Sequence, residues 1–230
     1  MTKPNVIVPV DLGGSPSGCA VAPPCTQRPT AELVRALIAH YRDERLKPGE
    51  QLQVGFYRGG LPTDELLEAC DGLPIRMSFH PSDLDRETAQ RLRAANVTTL
   101  EVEALSFEPH VLRTACRSYT TTRVIGMLRQ LRSMGFGLGV HLVPGLPGTD
   151  ASGALSDVAA ILSPEGPLVD FVRIWPAIAF EGTLLAQWAA EGRWVPWTVS
   201  EAAGVIHQMM DRLDAAGVPV ARVGLQPGQD

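Results

Sequence analysis

The sequence predicts an α/β fold in which a parallel sheet curls into an incomplete barrel. Short apolar segments typical of strands alternate with amphipathic segments typical of helices along nearly the whole chain, and such alternation requires a parallel sheet with right-handed crossovers. The units number fewer than the eight that close a complete barrel. Polar residues recur on one face of the predicted strands, so we expect that face to line an interior that helices do not cover.

The strands are predicted from period-2 alternation or from short apolar runs that end near glycine or proline. They are expected over residues 5–10, 52–56, 75–79, 99–105, 137–143, 168–175 and 218–223. Apolar residues three and four positions apart predict the helices between them. Helices are expected to begin at Thr30, Thr63, Asp85 and Ser200, and others to lie from about residue 122, around residues 154–161 and near residues 184–188.

Composition and charge restrict the class of protein. The chain has 230 residues, a length that suits a single domain over residues 1–230. Its net charge of −5 supplies no basic surface for nucleic acid. No apolar run approaches the ~18 residues of a membrane-spanning helix, and the run near the N-terminus is too short for a signal peptide. We therefore expect a cytoplasmic protein whose partner is a small-molecule ligand or another protein, without membrane contact.

Five polar residues on the predicted interior face are candidates for catalysis or ligand binding. Glu101 and Glu103 lie on the fourth strand, His80 follows the third, His141 lies on the fifth and Arg173 on the sixth. Because an unpaired buried charge is costly, these side chains should be paired, hydrated or in contact with a ligand. An internal ion-pair network, such as Arg173 with Glu103, and a ligand site both fit the pattern.

Three loops carry further candidates. Gly59 and Gly60 follow the second strand and residues 144–148 follow the fifth, but neither has the glycine spacing of a phosphate-binding loop, so a nucleotide phosphate site is excluded. Cys19 and Cys25 lie in the loop after the first strand. Two thiolates could bind iron or zinc, but such sites use three or four ligands, and free structural thiols are the alternative.

Six segments occur in the order and approximate spacing of a known barrel family. They are VGFYRGG at 54–60, IRMSFHP at 75–81, TLEVEALSFEPHVLR at 99–113, GFGLGVHLVPGLPG at 135–148, DFVRIWPAIAFEGTLL at 170–185 and AGVPVARVGLQP at 216–227. Together they resemble the radical S-adenosylmethionine (radical SAM) barrel, most closely the branch of the elongator catalytic subunit and its bacterial relatives, with oxygen-independent coproporphyrinogen oxidase more distant. The resemblance implies an incomplete parallel barrel of the (β/α)6 TIM type.

In that family, a loop after the first strand carries three cysteines, spaced C-x3-C-x2-C, that hold a [4Fe–4S] cluster, and electron transfer from the cluster cleaves SAM to a 5′-deoxyadenosyl radical. The corresponding loop covers residues 11–29. Aligning Cys25 with the last cysteine of the family puts Ala22 and Gly18 at the other two positions, and Cys19 lies one residue off register. The resemblance therefore implies a degenerate cluster loop with Cys19 and Cys25 as its candidate metal ligands.

The resemblance also implies contacts with SAM. Gly59 and Gly60 would meet the methionyl amine through backbone carbonyls, and Arg117 would lie near the SAM carboxylate. The residue that matches the family's serine after strand four is Ser106. The residues that would lie by the adenine are Val143, Pro144 and Gly145.

We interpret the chain as a degenerate radical SAM-like barrel that lacks a complete cluster site and keeps a pocket for SAM or another small ligand. The first alternative is an active radical SAM enzyme with an atypical cluster, whose third ligand comes from elsewhere in the chain or from a partner. The second is redox-inert catalysis by the polar interior residues, with a divalent metal as an option. Transfer RNA chemistry is not expected, because the chain is acidic and no acetyltransferase region follows.

Overall fold

The computed structural model describes residues 5–13, 27–58 and 60–224. Its strands are β1 Asn5–Asp11, β2 Gln51–Tyr57, β3 Ile75–Phe79, β4 Val97–Leu105, β5 Gly137–Leu142, β6 Leu162–Ser163, β7 Gly166–Pro167, β8 Phe171–Ile174 and β9 Val220–Val223. Its helices are α1 Ala31–Glu44, α2 Asp64–Glu68, α3 Arg86–Ala94, α4 Pro109–Thr114, α5 Thr121–Ser133, α6 Ala151–Ile161, α7 Leu184–Ala190 and α8 Val199–Ala215.

One parallel sheet organises the described part of the chain. Its seven strands lie in the order β1-β2-β3-β4-β5-β8-β9, so spatial order follows chain order, and every neighbouring pair is parallel. A doubly wound sheet would reverse its strand order at a switch point, whereas a barrel winds in one direction. The short antiparallel pair β6 and β7, which the sequence did not predict, lies outside this sheet.

The sheet is strongly curled, because side chains from distant strands meet across its inner face. Neighbouring strands lie about 4.8 Å apart, so in a flat sheet β2 and β8, with three strands between them, would be roughly 19 Å apart. The guanidinium carbon of Arg173 on β8 nevertheless lies 6.0 Å from the ring centroid of Tyr57 on β2. Arg76 on β3 lies 5.4 Å from the Phe171 ring on β8. The predicted incomplete parallel barrel is confirmed.

The outer face of the sheet is apolar and packs against the helices. Alternate strand residues such as Val54, Leu100 and Val140 are fully buried there, together with Val34 of α1 and Leu128 of α5. Because side chains alternate along a strand, burying these residues leaves the intervening polar residues on the concave face. The main hydrophobic core therefore lies between sheet and helices, and it leaves the interior of the barrel to polar groups.

The alternation does not continue to the end of β4. Strict alternation along β4 predicts Leu105 on the same face as Glu101 and Glu103, but an irregularity between Val102 and Leu105 adds one residue to β4 relative to β5. Leu105 also has a left-handed φ of 60°. It packs in a second apolar cluster at the carboxyl ends of the strands, so the prediction for this residue is wrong.

Helix starts were predicted well where a single capping residue precedes the helix. The side chains of Thr30, Thr63 and Asp85 each accept a hydrogen bond from the backbone N–H three residues later, as predicted. The prediction for Ser200 is wrong. The last helix begins after Thr198, which forms a reciprocal capping box with Glu201, and this pair satisfies two backbone donors where a serine alone satisfies one.

Helix α4 is not among the helices that the sequence predicts, and it has a proline in its first turn. Within the described residues, no helix combines the length and the apolar character needed to cross a membrane.

Candidate functional site

A buried carboxylate, Glu101 on β4, joins the interior side chains of four strands. Its side chain is 0% exposed. Oε2 accepts hydrogen bonds from His141 Nε2 at 2.8 Å and from Arg173 Nε at 2.5 Å, and Oε1 accepts from Arg76 Nε at 2.8 Å. The predicted residues Glu101, His141 and Arg173 therefore lie together. Arg76 of β3, which was not among the predicted site residues, completes the network.

Opposing effects act on the charge of Glu101. Burial alone raises the pKa of this carboxyl, but the hydrogen bond and charge of His141 and the two guanidiniums outweigh burial and hold the pKa well below its usual range. Glu101 is thus an anion that neutralises a buried cationic pair. The suggested pairing of Arg173 with Glu103 is wrong, because Arg173 is bound to Glu101.

Two glycines make room for aromatic rings at this level of the barrel. A Cβ at Gly139 would overlap the Phe171 ring, and a Cβ at Gly55 would lie 2.7 Å from the Tyr57 ring. These rings pack against the guanidiniums of Arg76 and Arg173, an arrangement that favours desolvated cations. The Glu101 network is therefore enclosed by protein groups, and these groups satisfy its charges without a ligand.

A second polar group lies at the carboxyl ends of β2, β3 and β4, where parallel barrels place their ligands. It comprises Gly60, His80, Asp83, Glu103 and Arg117, which we call the end cluster. A Cβ at Gly60 would lie 3.6 Å from Asp83 Oδ2. The charges of Glu103 and Arg117 act on both Asp83 and His80. The sequence predicted four of these residues and missed Asp83, whose loop position carries no periodic signal.

The end cluster contains buried polar atoms without partners. Arg117 is 8% exposed, and among the described residues its Nε has no hydrogen-bond acceptor and Asp83 Oδ2 has no donor. None of the ion pairs between described residues includes Arg117 or Asp83. Burial and the charge of Glu103 raise the pKa of Asp83, while Arg117 partly offsets them. Such orphaned atoms are rare and call for an explanation.

His80 is held in its neutral form. Burial and the charge of Arg117 lower the pKa of His80 to about 4, against an opposing effect of Glu103. Its Nδ1 accepts a hydrogen bond from the Ser82 backbone N–H at 3.2 Å, which requires an unprotonated Nδ1. At neutral pH His80 therefore adds hydrogen-bonding capacity to the end cluster but no charge.

Ser106 does not face the end cluster. Its hydroxyl donates to Asp157 Oδ1 of α6 at 2.9 Å, and Phe107 N–H donates to the same oxygen at 2.6 Å. Asp157 is 1% exposed, and burial raises its pKa to about 7 despite these bonds. Ser106 therefore belongs to a hydrogen-bonded contact that joins the loop after β4 to α6. The sequence signal for this contact is Asp157, a carboxylate among the apolar buried residues of α6.

The segment proposed to lie by the adenine is packed under two tryptophans. Gly145 has a φ of 88°, its carbonyl accepts from Trp194 Nε1 at 3.1 Å, and a Cβ there would lie 3.2 Å from the Trp197 ring. Val143 N–H donates to Leu105 carbonyl at 2.7 Å. Pro144 lines an outer groove beside α8.

Two cysteines, Cys70 and Cys116, lie within the described residues, and both are free thiols. Cys70 is buried, its thiol donates to the Leu66 carbonyl at 3.3 Å, and burial raises its pKa to about 12. Cys116 is exposed. Among the described residues no group of three His, Cys, Asp or Glu side chains is arranged to hold a metal ion. The predicted ligands Cys19 and Cys25, and the predicted amine contact Gly59, lie outside those residues.

Comparison with known proteins relates the sequence to one superfamily. Residues 169–230 match the model of the Radical_SAM C-terminal domain. The chain is 26% identical over 137 residues to tRNA uridine(34) acetyltransferase of Dehalococcoides mccartyi, which covers 60% of this chain and 29% of the relative. It is 26% identical over 122 residues to the enzyme of the same name from Methanocaldococcus infernus, covering 53% and 23%. The chain thus spans less than a third of these relatives.

Solved structures share the fold. Methanocaldococcus infernus Elp3 with an N-terminal deletion superposes with a TM-score of 0.70 at 14% identity, covering 98% of this chain and 61% of that one. Coproporphyrinogen III oxidase from Escherichia coli, described as a radical SAM enzyme, gives 0.64 at 17% identity, covering 94% and 53%. The methyltransferase TsrM from Kitasatospora setae, solved with cobalamin and a [4Fe–4S] cluster, gives 0.60 at 17%, covering 80% and 39%.

The fold is therefore the partial barrel of radical SAM proteins, as the resemblance implied. The matched C-terminal model and the similarity to the curated relatives agree with this fold.

Proposed function

We propose that the protein is a radical SAM-like barrel that binds SAM or a closely similar small ligand at its end cluster without holding a complete [4Fe–4S] cluster of its own. The observation that carries this proposal is the distribution of cysteines. A site-differentiated cluster needs three thiolates that converge on one point. The loop over residues 11–29 contains two, Cys19 and Cys25, and the spacing between them is not that of the family.

The remaining cysteines do not fit as a third ligand. Cys70 is a buried, protonated thiol bonded to a helix carbonyl, and a metal ligand must be a thiolate. Cys116 is exposed to solvent, whereas a working cluster is shielded from water. The donor set of this chain therefore supports the loss of the cluster.

The end cluster supports the retention of a ligand pocket. Among the described residues the buried Arg117 guanidinium forms no ion pair and its Nε has no hydrogen-bond partner, and a Cβ at Gly60 would lie 3.6 Å from Asp83 Oδ2. Natural proteins keep such uncompensated groups mainly where a ligand completes them. The enclosed Glu101 network, in contrast, is satisfied internally, which favours a structural role for Glu101, His141 and Arg173 and leaves Glu103 and His80 as the predicted catalytic residues that face the pocket.

Nucleic acid is not part of this proposal, although the matched curated relatives carry tRNA in their names. Nucleic acid is left out because binding it requires a basic surface that neutralises phosphates, and the chain has a net charge of −5.

An active radical SAM enzyme with an atypical cluster is the second candidate. Similarity to a neighbour solved with a [4Fe–4S] cluster favours it, and a partner protein would then supply the missing thiolate. A bound cluster would provide the electron that cleaves SAM.

Anaerobic reconstitution separates the two candidates. The protein is purified without oxygen, supplied with iron and sulfide, desalted, and examined for bound iron, for the broad thiolate-to-iron absorbance and for 5′-deoxyadenosine after adding dithionite and SAM. A Cys25→Ser variant is the matched control. We expect the same low iron content in both proteins and no 5′-deoxyadenosine. A reducible cluster that the control lacks, with SAM cleavage, would establish the second candidate.

A further inference from the structure

A groove of about 510 Å³ runs along α8, and the proposed function does not use it. Half of its lining residues come from α8, among them Val199, Ala203 and Met210, and the others follow β5 and β8, precede α8 or belong to β9. None of the described residues that line it belongs to the Glu101 network or to the end cluster. We call this surface the outer groove.

The outer groove exposes apolar side chains next to one another. Val199 is 87% exposed and Met210 is 38% exposed, and both lie on the same side of α8. The described residues that line the groove include no lysine, arginine, aspartate or glutamate, and His207 is the only one of them that can carry a charge. A contiguous exposed apolar surface of this kind is typical of an interaction site.

The rim of the outer groove along α8 is acidic. Asp211 Oδ2 lies 3.7 Å from Nε2 of His207, which lines the groove, and Asp214 follows Met210 by one helical turn on the same side of α8. Both carboxylates are exposed. Arg212 points to α6 instead, where its Nη1 donates to a backbone carbonyl at 3.5 Å. An acidic rim beside an apolar surface attracts a basic partner and repels an anionic lipid surface.

We propose that the outer groove binds a basic amphipathic helix of a partner protein, with the apolar stripe of that helix in the groove and its lysines or arginines on Asp211 and Asp214. The lining residues of α8 span about three turns, or ~17 Å, so a short helix fits alongside them. Ala202 and Ala203 leave room for close approach of the two helices. The inference does not depend on the proposed SAM pocket.

The test uses two labelled helical peptides with the same leucine stripe, one with lysine and the other with glutamate at the remaining positions. Fluorescence anisotropy measures their binding to the wild type and to Met210→Glu. Leu33→Glu is the matched control, because it adds the same charge at another exposed apolar residue, on α1. We expect the wild type to bind the lysine peptide at least roughly 10-fold more tightly than the glutamate peptide, because the rim is acidic. We expect Met210→Glu to weaken the lysine peptide roughly 10-fold or more, because it puts a charge in the apolar contact, and Leu33→Glu to match the wild type.

The acidic rim is tested separately. A variant with Asp211→Asn and Asp214→Asn should bind the lysine peptide roughly 3- to 10-fold more weakly. Removing two exposed carboxylates from the end of α1, with Asp43→Asn and Glu44→Gln, should leave the affinity within twofold of the wild type. Equal losses in the two double variants would show attraction by net charge alone and would overturn the inference.

Other occupants of the outer groove give different results. Equal affinity for the two peptides, or equal losses in Met210→Glu and Leu33→Glu, would contradict a basic helix in this groove. A wild-type dimer in light scattering that Met210→Glu dissociates would assign the groove to a second copy of the chain. A Leu225→Ser variant that binds the lysine peptide at least roughly 10-fold more tightly would assign it to the last residues of the chain itself. Each of these outcomes would overturn the inference.

Discussion

Glu101 is the residue on which the charge balance of the interior depends. Replacing it by glutamine leaves Arg76 and Arg173 buried without a counter-charge, and breaking a buried pair in this way costs about 3–5 kcal/mol. We expect Glu101→Gln to lower the free energy of unfolding by that amount in urea titrations.

Glu103→Gln is the matched control for this prediction. Glu103 lies two residues further along β4 and opposes the charge of Asp83 instead of neutralising an arginine pair. We expect a change below about 1 kcal/mol or a slight stabilisation, as for other substitutions that break no buried pair. Equal losses in both variants would contradict the assignment of Glu101 as the charge centre.

Asp157 predicts a pH dependence of stability. Because burial raises its pKa from 3.8 to about 7 in the folded protein, the folded state binds a proton more readily than the unfolded state between these values. Its contribution is full below pH 4 and is lost as the pH rises towards 7. We expect Asp157→Asn to remove this decline, so that the stability advantage of the variant grows from pH 4 to pH 7.5.

Chemical unfolding of both proteins across that pH range measures the difference directly. Ser106 and Phe107 can donate to an amide oxygen as they do to the carboxylate. Asp157→Asn should therefore keep both hydrogen bonds between the loop after β4 and α6. Parallel stability curves for the two proteins would show that Asp157 does not titrate with a raised pKa.

The residues of the interior show what alternation can and cannot predict. Side-chain direction in a strand follows from position alone, so the sequence placed Glu101, His141 and Arg173 on one face. Their pairing did not follow, because it depends on register. Glu101 lies opposite Gly139 on β5, whereas its partners His141 and Arg173 lie opposite each other two residues further along their strands.

At the scale of single elements, the start of α8 offers a direct comparison of two capping hypotheses. Thr198 forms the capping box, whereas Ser200 lies inside the first turn. We expect Thr198→Ala to destabilise the protein by about 1 kcal/mol and Ser200→Ala to have little effect. A larger loss for Ser200→Ala in thermal unfolding would contradict the observed start of the helix.

Two glycines in different elements should respond oppositely to alanine. A methyl at Gly139 on β5 would overlap the Phe171 ring, whereas Gly126 within α5 has open space around it. We expect Gly139→Ala to cost about 1–3 kcal/mol through overpacking and Gly126→Ala to add about 0.5–1 kcal/mol through helix propensity. Replacing Phe171 by leucine should relieve part of the Gly139→Ala loss in a double-mutant cycle, and strict additivity would contradict that contact.

Element types were predictable here because their periodic patterns are long, and short elements were not. Helix α4 has six residues and the β6–β7 pair has two residues in each strand, too few for any period to register. The extra residue in β4 was not predicted, for a different reason. Its position depends on the pairing with β5, which sequence alternation within one strand does not contain.

At the scale of the whole molecule, the polarity of one sheet face was enough to predict a curled barrel. A polar face must be hydrated or enclosed, and the curl encloses it around Glu101. The end cluster was only partly predictable. Arg117 and Gly60 came from the resemblance, but the approach of Asp83 to Gly60 depends on loop conformations that strand and helix periodicity does not predict.

Two expectations about the whole molecule stay predictions. The first is the single domain over residues 1–230. The second is the degenerate cluster loop over residues 11–29, most of which lies outside the described residues.

The most direct test of the account is a calorimetric titration of SAM into the purified protein, carried out once with a chelator and once after iron and sulfide treatment. The account predicts saturable binding with the same affinity in both experiments, because the proposed pocket is formed by the end cluster and does not need a metal. Binding that occurs only after iron and sulfide treatment, or no binding to a chain whose circular dichroism shows it folded, would contradict it.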